Sequence, residues 1–78
     1  MIVYTKNKCQ RCRATETMLN RYKVDYTEYN VDEDPDAYER VQEIAKTEGF
    51  VSMPIVITDN GDSWCGFNSD LIKKAAGV

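Results

Sequence analysis

Cys9 and Cys12 are separated by two residues and follow a short apolar segment, residues 2–4. This spacing allows the two sulfurs to reach each other and to form a reversible disulfide. The residues after Cys9 predict a helix, and the partial positive charge of a helix N-terminus favours the thiolate that attacks a disulfide. The chain contains no histidine, so this pair is its strongest candidate for chemistry. The pattern predicts a thiol–disulfide exchange site.

The same two cysteines admit two other interpretations. They could pack as ordinary helical side chains, or they could supply half of a zinc site. A zinc site with four ligands would need carboxylates, because the chain has no histidine and only one further cysteine, Cys65. We therefore expect no resident metal. Cys65 itself is expected to be a small buried side chain on a strand, with a regulatory thiol as the alternative.

Length and composition limit the class of protein. The 78 residues are enough for one domain, so residues 1–78 are predicted to form a single redox domain. The N-terminus lacks the pattern of a secretion signal, and the apolar runs are too short to span a membrane. An odd number of cysteines does not suit the disulfide framework of a small secreted fold. We therefore expect a cytoplasmic protein. We also expect a monomer.

The charge is distributed unevenly along the chain. Residues 1–23 carry six basic side chains and one acidic one, whereas residues 24–62 carry eleven acidic and two basic side chains. The basic stretch contains both Cys9 and Cys12, where positive charge favours the thiolate and an acidic partner surface. Nucleic acid is not an expected partner, because the whole chain is acidic and no aromatic residues alternate with the basic ones.

Apolar periodicity and turn signals predict the element order β-α-β-α-β-β-α. A connection through a helix makes the first two strands parallel, and the last two strands form an antiparallel hairpin. The fold class is therefore α/β, with a four-stranded mixed sheet flanked by three helices. The predicted elements are a strand over 1–4, a helix over 10–22, a strand over 25–31, a helix from Asp34-Pro35 to Gly49, a strand over 54–57, a hairpin turn over 59–62, a strand over 63–65 and a helix from Asn68 or Ser69.

The same patterns predict which side chains face the core. Tyr4, Tyr38 and Trp64 are expected to be core aromatics, and Phe67 could be core or an exposed contact. The remaining predicted core-facing positions are Ala14, Met18, Leu19 and Tyr22 of the first helix, Tyr29 and Val31 of the second strand, Ala37, Val41, Ile44, Ala45 and Glu48 of the second helix, and Leu71, Ile72 and Ala75 of the last helix.

The whole chain resembles the glutaredoxin branch of the thioredoxin superfamily, and within it the NrdH-redoxins. The residues that carry the resemblance are Val3-Tyr4-Thr5-Lys6, Cys9-Gln10-Arg11-Cys12, Ala14-Thr15, Val31-Asp32, Asp34-Pro35, Met53-Pro54-Ile55-Val56, Trp64-Cys65-Gly66-Phe67 and Asp70. The chain departs from that family at four positions. Cys65 stands where serine is usual, Asn68 and Ser69 replace an arginine and a proline, and Arg11 occupies the position of a glutamine.

The resemblance implies roles for several residues. Cys9 is the expected nucleophile, and Cys12 is the expected resolving cysteine, the more buried of the two. The Met53–Pro54 bond is expected to be cis, with the Met53 backbone pairing with an extended substrate. The other residues expected to contact a substrate or partner are Lys6, Gln10, Arg11, Gly66 and Phe67.

The resemblance also implies partners. A protein similar to the NrdH-redoxins donates electrons to a class Ib ribonucleotide reductase, is reduced by thioredoxin reductase with electrons from NADPH, and binds no cofactor besides its own disulfide. The alternatives are a glutathione-dependent glutaredoxin and, more remotely, an iron–sulfur or metal carrier. Glutathione is not the expected reductant, because a glutathione site uses Pro-Tyr between the cysteines, Thr-Val before the cis-proline and a Gly-Gly pair. This chain has instead Gln10-Arg11, Ser52-Met53 and the single Gly66.

Overall fold

The computed structural model describes residues 1–78 and contains four strands and three helices. The predicted order of elements is confirmed. The elements are β1 (Ile2–Thr5), α1 (Gln10–Arg21), β2 (Thr27–Asn30), α2 (Pro35–Glu48), β3 (Ile55–Ile57), β4 (Ser63–Cys65) and α3 (Ser69–Ala76). The observed strands and helices differ from the predicted bounds by a few residues at their ends, the largest difference being the shorter β2.

The four strands form one sheet in the order β2-β1-β3-β4. β1 and β2 are parallel, as the helical connection between them requires, and β1 and β3 are antiparallel. β3 and β4 form the predicted antiparallel hairpin. In this topology the ends of β1, β2 and β4 and the beginning of β3 lie at one edge of the sheet. The segments that follow or precede those ends therefore meet there.

Alternate residues of the strands supply two hydrophobic clusters, one on each face of the sheet. Val3, Val56 and Trp64 are paired across three strands and pack with Leu19 of α1 and Ile72 of α3. On the other face, the next residues along the strands, Tyr4 and Ile55, pack with Ala37 of α2. The sheet thus separates α1 and α3 from α2, and the predicted core positions of Tyr4 and Trp64 are confirmed.

The ends of α2 and α3 follow the signals in the sequence. Asp34 caps α2, because its Oδ1 accepts hydrogen bonds from the N–H of Asp36 at 3.0 Å and of Ala37 at 3.2 Å. Gly49 ends the helix with φ of 72°, in the left-handed region that glycine favours. Asn68 caps α3 by accepting from the N–H of Leu71 at 3.0 Å. None of the three helices is both long and apolar enough to cross a membrane.

Several predicted core positions are wrong. Ala14, Glu48 and Ala75 are exposed. The buried stripe of α1 consists instead of Cys12, Thr15 and Leu19, so a polar residue and a cysteine hold positions that an apolar pattern does not identify. Tyr38 is 50% exposed because its neighbour Ala37 is the α2 residue that faces the sheet. Tyr29 is also exposed, although its ring stacks on Tyr4 with the ring centroids 5.7 Å apart.

Candidate active site

Cys9 and Cys12 are joined in a disulfide just beyond the carboxyl end of β1. Their Cα atoms are 5.3 Å apart, within the usual range for a disulfide. Cys9 is 8% exposed and Cys12 is 2% exposed, so Cys12 is the more buried of the two, as expected. In this oxidised pair the Cys9 sulfur is bonded to the Cys12 sulfur.

Cys9 is the N-cap residue of α1 and has an extended backbone, with φ of −117° and ψ of 104°. Its Sγ accepts a hydrogen bond from the backbone N–H of Cys12 at 3.1 Å. The first turn of α1 contains no acidic side chain, so nothing in it offsets the partial positive charge of the helix end. After reduction the same N–H can donate to a Cys9 thiolate. This geometry favours ionisation of Cys9.

The loop between β1 and Cys9 has an unusual conformation that the sequence does not reveal. Lys8 has φ of 54°, a left-handed conformation that non-glycine residues seldom adopt. The preceding residue, Asn7, donates its backbone N–H to Asp32 Oδ2 at 2.8 Å and accepts a hydrogen bond on its Oδ1 from Asn30 Nδ2 at 2.9 Å. None of Asn7, Asn30 and Asp32 was among the residues predicted to contact a substrate or partner.

The basic and acidic stretches of the sequence meet at this edge of the sheet. The contact between Asn7 and Asp32 joins the basic loop before Cys9 to the acidic segment that follows β2. The one ion pair in the protein lies elsewhere, where the N-terminal ammonium contacts Asp59 Oδ1 at 2.6 Å. Four basic side chains and one amide around the disulfide are exposed to solvent, and none of them takes part in an ion pair. They are Lys6, Lys8, Gln10, Arg11 and Arg13.

The Met53–Pro54 segment lies at the same edge of the sheet. Because Ile55 pairs with Tyr4, the residues before Ile55 and after Tyr4 are neighbours there. The Met53–Pro54 peptide bond is cis, as expected. The backbone N–H and C=O of Met53 make no hydrogen bond to other backbone groups. They are therefore available to an incoming extended chain, while Pro54 is buried beneath them.

Gly66 and Phe67 adjoin the same segment. The Gly66 N–H donates to the Pro54 carbonyl at 2.8 Å, and Gly66 has φ of 78°. A Cβ at Gly66 would lie 3.2 Å from Ser52 Oγ, so glycine allows both the left-handed backbone and the close approach of the Ser52 side chain. Phe67 is 45% exposed, which favours a surface contact over a core position. The strand pairing thus places the segments that contain the predicted site residues at one edge of the sheet.

Cys65 is the one free cysteine and is half-buried on β4, opposite Ile55 of β3. A hydrogen bond from the Ser52 side chain lowers the pKa of the Cys65 thiol, aided by backbone groups of residues 51 and 52, against the opposing effect of burial. The expected strand position is confirmed, and the thiol is less buried than expected. This hydroxyl partner was not foreseeable, because Ser52 and Cys65 are distant in sequence.

Two further groups near α1 titrate abnormally. Burial, and then the nearby Glu28 carboxylate, raise the pKa of Glu16, which lies four residues after Cys12. Burial and the adjacent Glu16 raise the pKa of Tyr26, whose hydroxyl donates to Glu16 Oε2 at 3.3 Å. No group of three or more histidine, cysteine, aspartate or glutamate side chains is arranged to hold a metal ion.

Sequence and structure comparisons agree with this fold. The glutaredoxin family profile matches residues 1–67. The glutaredoxin-like protein NrdH of Escherichia coli K12 is 37% identical over 73 residues, which are 92% of this chain and 83% of that protein. The NrdH protein of Lactococcus lactis subsp. cremoris is 34% identical over 74 residues, which are 95% of this chain and 96% of the relative.

A solved structure matches the whole architecture. NrdH-redoxin from Escherichia coli, described as a glutaredoxin-like protein with a thioredoxin-like activity profile, superposes with a TM-score of 0.79 and 34% identity. The match covers 94% of this chain and 90% of that one. A dithiol pair on a thioredoxin-like fold defines a thiol–disulfide oxidoreductase, and the chain is one. It belongs to the glutaredoxin family and, within it, to the glutaredoxin-like NrdH proteins.

Proposed function

We propose that residues 1–78 form one redox domain that donates electrons to protein disulfides, with a class Ib ribonucleotide reductase as the main acceptor and thioredoxin reductase as the electron source. The observation that carries the proposal is the Cys9–Cys12 disulfide at the N-terminus of α1. Two findings support the choice of partners. The chain is a member of the NrdH proteins, and the relative from Escherichia coli is described as having a thioredoxin-like activity profile. Because a dithiol donor needs a compartment that keeps thiols reduced, the proposal includes a cytosolic location.

The first step of the reaction is attack by Cys9. Its thiolate, stabilised by the N–H of Cys12 and by the positive end of α1, attacks one sulfur of the partner's disulfide. A bond forms between Cys9 and that sulfur, and the partner's disulfide bond breaks. The second partner sulfur leaves as a thiolate and takes up a proton. The product is a mixed disulfide between Cys9 and the partner.

The second step is resolution by Cys12. Cys12 loses its proton and attacks the Cys9 sulfur, which restores the disulfide between the two cysteines. The mixed disulfide bond breaks, and the partner leaves with two thiols. The partner has gained two electrons and two protons. This chain has lost the two electrons, and the two protons match the one that Cys9 released to solvent when it ionised and the one that Cys12 lost. Thioredoxin reductase then returns two electrons from NADPH to the Cys9–Cys12 disulfide, which completes the cycle.

The partner's cysteine is proposed to arrive on an extended segment. The unpaired backbone of Met53, next to the buried Pro54, supports a short stretch of strand-like pairing with that segment. Gly66 and the exposed ring of Phe67 offer a contact on one side. On the other side, Lys6 lines a groove of about 250 Å³ together with Met53. Gln10 and Arg11, exposed between the cysteines, complete the proposed contact surface.

Glutathione is the alternative reductant, because the chain matches the glutaredoxin profile. The residues between the cysteines and before Pro54 differ from the expected glutathione pattern, and a single glycine follows β4. These differences support thioredoxin reductase over glutathione. They concern the binding of the reductant and leave the two-cysteine chemistry unchanged.

A coupled assay tests the choice of reductase. NADPH oxidation is followed at 340 nm, a wavelength set by the nicotinamide, while the protein reduces insulin. One reaction contains thioredoxin reductase, and the other contains glutathione with glutathione reductase. We expect turnover with thioredoxin reductase to be at least about a hundredfold faster, because a missing glutathione site removes several kcal/mol of binding.

The controls distinguish a failure of the two-cysteine chemistry from a wrong choice of reductase. Each reaction is repeated without this protein, and a variant lacking both cysteines, Cys9→Ser/Cys12→Ser, should equal that background. Equal or faster turnover with glutathione would contradict the proposed reductase and would make the protein a glutathione-dependent glutaredoxin. The same pair of assays with a class Ib ribonucleotide reductase in place of insulin tests the acceptor, through formation of deoxyribonucleotide.

A further inference from the structure

Three residues outside the cysteine motif form a connected set of hydrogen bonds beside it, which we name the Asn7 clamp: Asn7, Asn30 and Asp32. Asp32 Oδ2 accepts from the Asn7 N–H at 2.8 Å, and Asn7 Oδ1 accepts from Asn30 Nδ2 at 2.9 Å. Asn30 Oδ1 accepts from the Asp32 N–H at 2.9 Å. Each residue is thus bonded to the other two. The clamp ties the loop before Cys9 to the turn after β2.

The turn that supports the clamp is itself held on both sides. On the β1 side, the N–H of Val31 donates to the Thr5 carbonyl at 2.9 Å, which continues the parallel pairing of β1 and β2. On the α2 side, the N–H groups of Glu33 and Asp34 donate to the Asn30 carbonyl at 3.1 and 3.0 Å. Asp34 also caps α2. The clamp therefore fastens a short loop to a firmly bonded turn.

The loop that the clamp holds determines where Cys9 lies. Asn7 is two residues before Cys9, and Lys8 between them has φ of 54°, a conformation that costs free energy in a residue with a side chain. Such a conformation persists when contacts on either side of it fix the chain. On one side the contact is the clamp, and on the other it is the first turn of α1, where the Cys9 sulfur accepts from the Cys12 N–H.

We propose that Asn7, Asn30 and Asp32 are positioning residues for Cys9, which keep its sulfur on the Cys12 N–H when the disulfide is reduced. The proposal rests on the assignment of Cys9 as the attacking cysteine. In the oxidised protein the disulfide itself holds Cys9 in place. In the reduced protein that bond is absent, and the clamp and the first turn of α1 then keep the thiolate close to its donor.

The clamp and the charge of Asp32 act on the Cys9 thiolate in opposite directions. Loss of the clamp lets Cys9 move away from the Cys12 N–H for part of the time, which raises the pKa of the Cys9 thiol. Loss of the nearby Asp32 carboxylate lowers that pKa. The Met53–Pro54 segment contributes no charged side chain near Cys9. The other charged side chains on the elements around Cys9 are the same whether the clamp or the charge of Asp32 is lost. They are Lys6 and Lys8 of the loop, Arg11 and Arg13 of α1, Glu33, Asp34 and Asp36 beyond β2, and Asp70 of α3.

The test compares four variants. Asn30→Ala removes two hydrogen bonds of the clamp without a change of charge, and Asp32→Ala removes one bond together with the charge. Asp32→Asn removes the charge and keeps an oxygen that accepts from Asn7. Glu33→Gln is the matched control, because it removes a neighbouring exposed charge whose side chain takes no part in the clamp.

The measurement is the rate at which iodoacetamide alkylates the reduced protein as a function of pH, with the labelled cysteine assigned by peptide mass spectrometry. At pH 7 we expect alkylation of Cys9 to be roughly five- to tenfold slower in Asn30→Ala, with the midpoint of the profile at higher pH. This is less than the full effect of a hydrogen bond to a charged group, because the Cys12 N–H is lost for only part of the time. Asp32→Ala should be slower than Asp32→Asn. Asp32→Asn and Glu33→Gln should stay within about twofold of the unchanged protein.

Two results would overturn the proposal that the clamp positions Cys9. One is an Asn30→Ala profile that superimposes on that of the unchanged protein. The other is an equal shift in Asp32→Ala and Asp32→Asn, which would assign the whole effect to charge. Preferential labelling of Cys12 would instead overturn the assignment of Cys9 itself. Circular dichroism of each variant confirms that the comparison is made between folded proteins, and the surface position of Asp32 provides a second route if Asn30→Ala unfolds.

Discussion

Replacement of Cys12 with serine will trap this protein in a covalent complex with its partner. Cys9 keeps its thiolate and its place at the start of α1, so the first attack still takes place. The serine hydroxyl cannot attack the Cys9 sulfur, so the mixed disulfide persists. Because the attack by Cys12 within the complex has a high effective concentration, we expect its loss to slow turnover by at least about a hundredfold. Non-reducing electrophoresis and intact mass spectrometry will detect the adduct.

The matched control for this prediction is Cys65→Ser, which removes the one cysteine outside the disulfide. That variant should form no lasting adduct and should turn over at a rate close to that of the unchanged protein. A Cys12→Ser protein with the original rate on protein disulfides would show that resolution does not need Cys12. The proposed two-step mechanism would then be wrong.

Replacement of Cys9 with serine is expected to abolish the reaction. A serine hydroxyl does not ionise near neutral pH, and Cys12 is 2% exposed and cannot replace it as the attacking group. We expect the rate of insulin reduction to fall to the background that dithiothreitol alone gives without the protein. The assay is the reduction of insulin by dithiothreitol, which avoids any dependence on a particular reductase.

A second measurement on the Cys9→Ser variant separates chemistry from folding. Its thermal unfolding should be compared with that of the unchanged protein in the reduced state, in which neither has a disulfide. Equal midpoints would assign the lost activity to the missing sulfur. Substantial activity in a folded Cys9→Ser protein would mean that Cys12 or Cys65 attacks the partner, which would contradict the assigned roles.

The order of the elements follows from local signals in the sequence. Asp34, Pro35 and Gly49 mark the ends of α2, and the turn over residues 59–62 marks the hairpin, because each of these acts on its own backbone or on its nearest neighbours. The faces of the helices were less predictable. Thr15 is fully buried and Ala14 is exposed, since burial depends on where the sheet lies and not on the polarity of one side chain.

The contacts of the site also divide into those that nearby residues in the sequence indicate and those that depend on how the strands pair. Cys9 and Cys12 are separated by only two residues, so their spacing alone indicated the disulfide. Asn7 and Asn30 meet only because β1 and β2 are parallel and in a register that pairs Thr5 with Asn30. The sequence predicts the parallel pairing but not the register, so it could not indicate this contact.

The most direct test follows the sulfur atoms through one turnover. Fully reduced protein is mixed with an excess of oxidised insulin, quenched in acid, alkylated and mapped by mass spectrometry at successive times. We expect a disulfide between Cys9 and Cys12 to form in step with two new insulin thiols, while Cys65 remains a free thiol throughout. Reduction of insulin while Cys9 and Cys12 both stay alkylatable, or a disulfide that includes Cys65, would contradict the assignment of this pair as the electron donor.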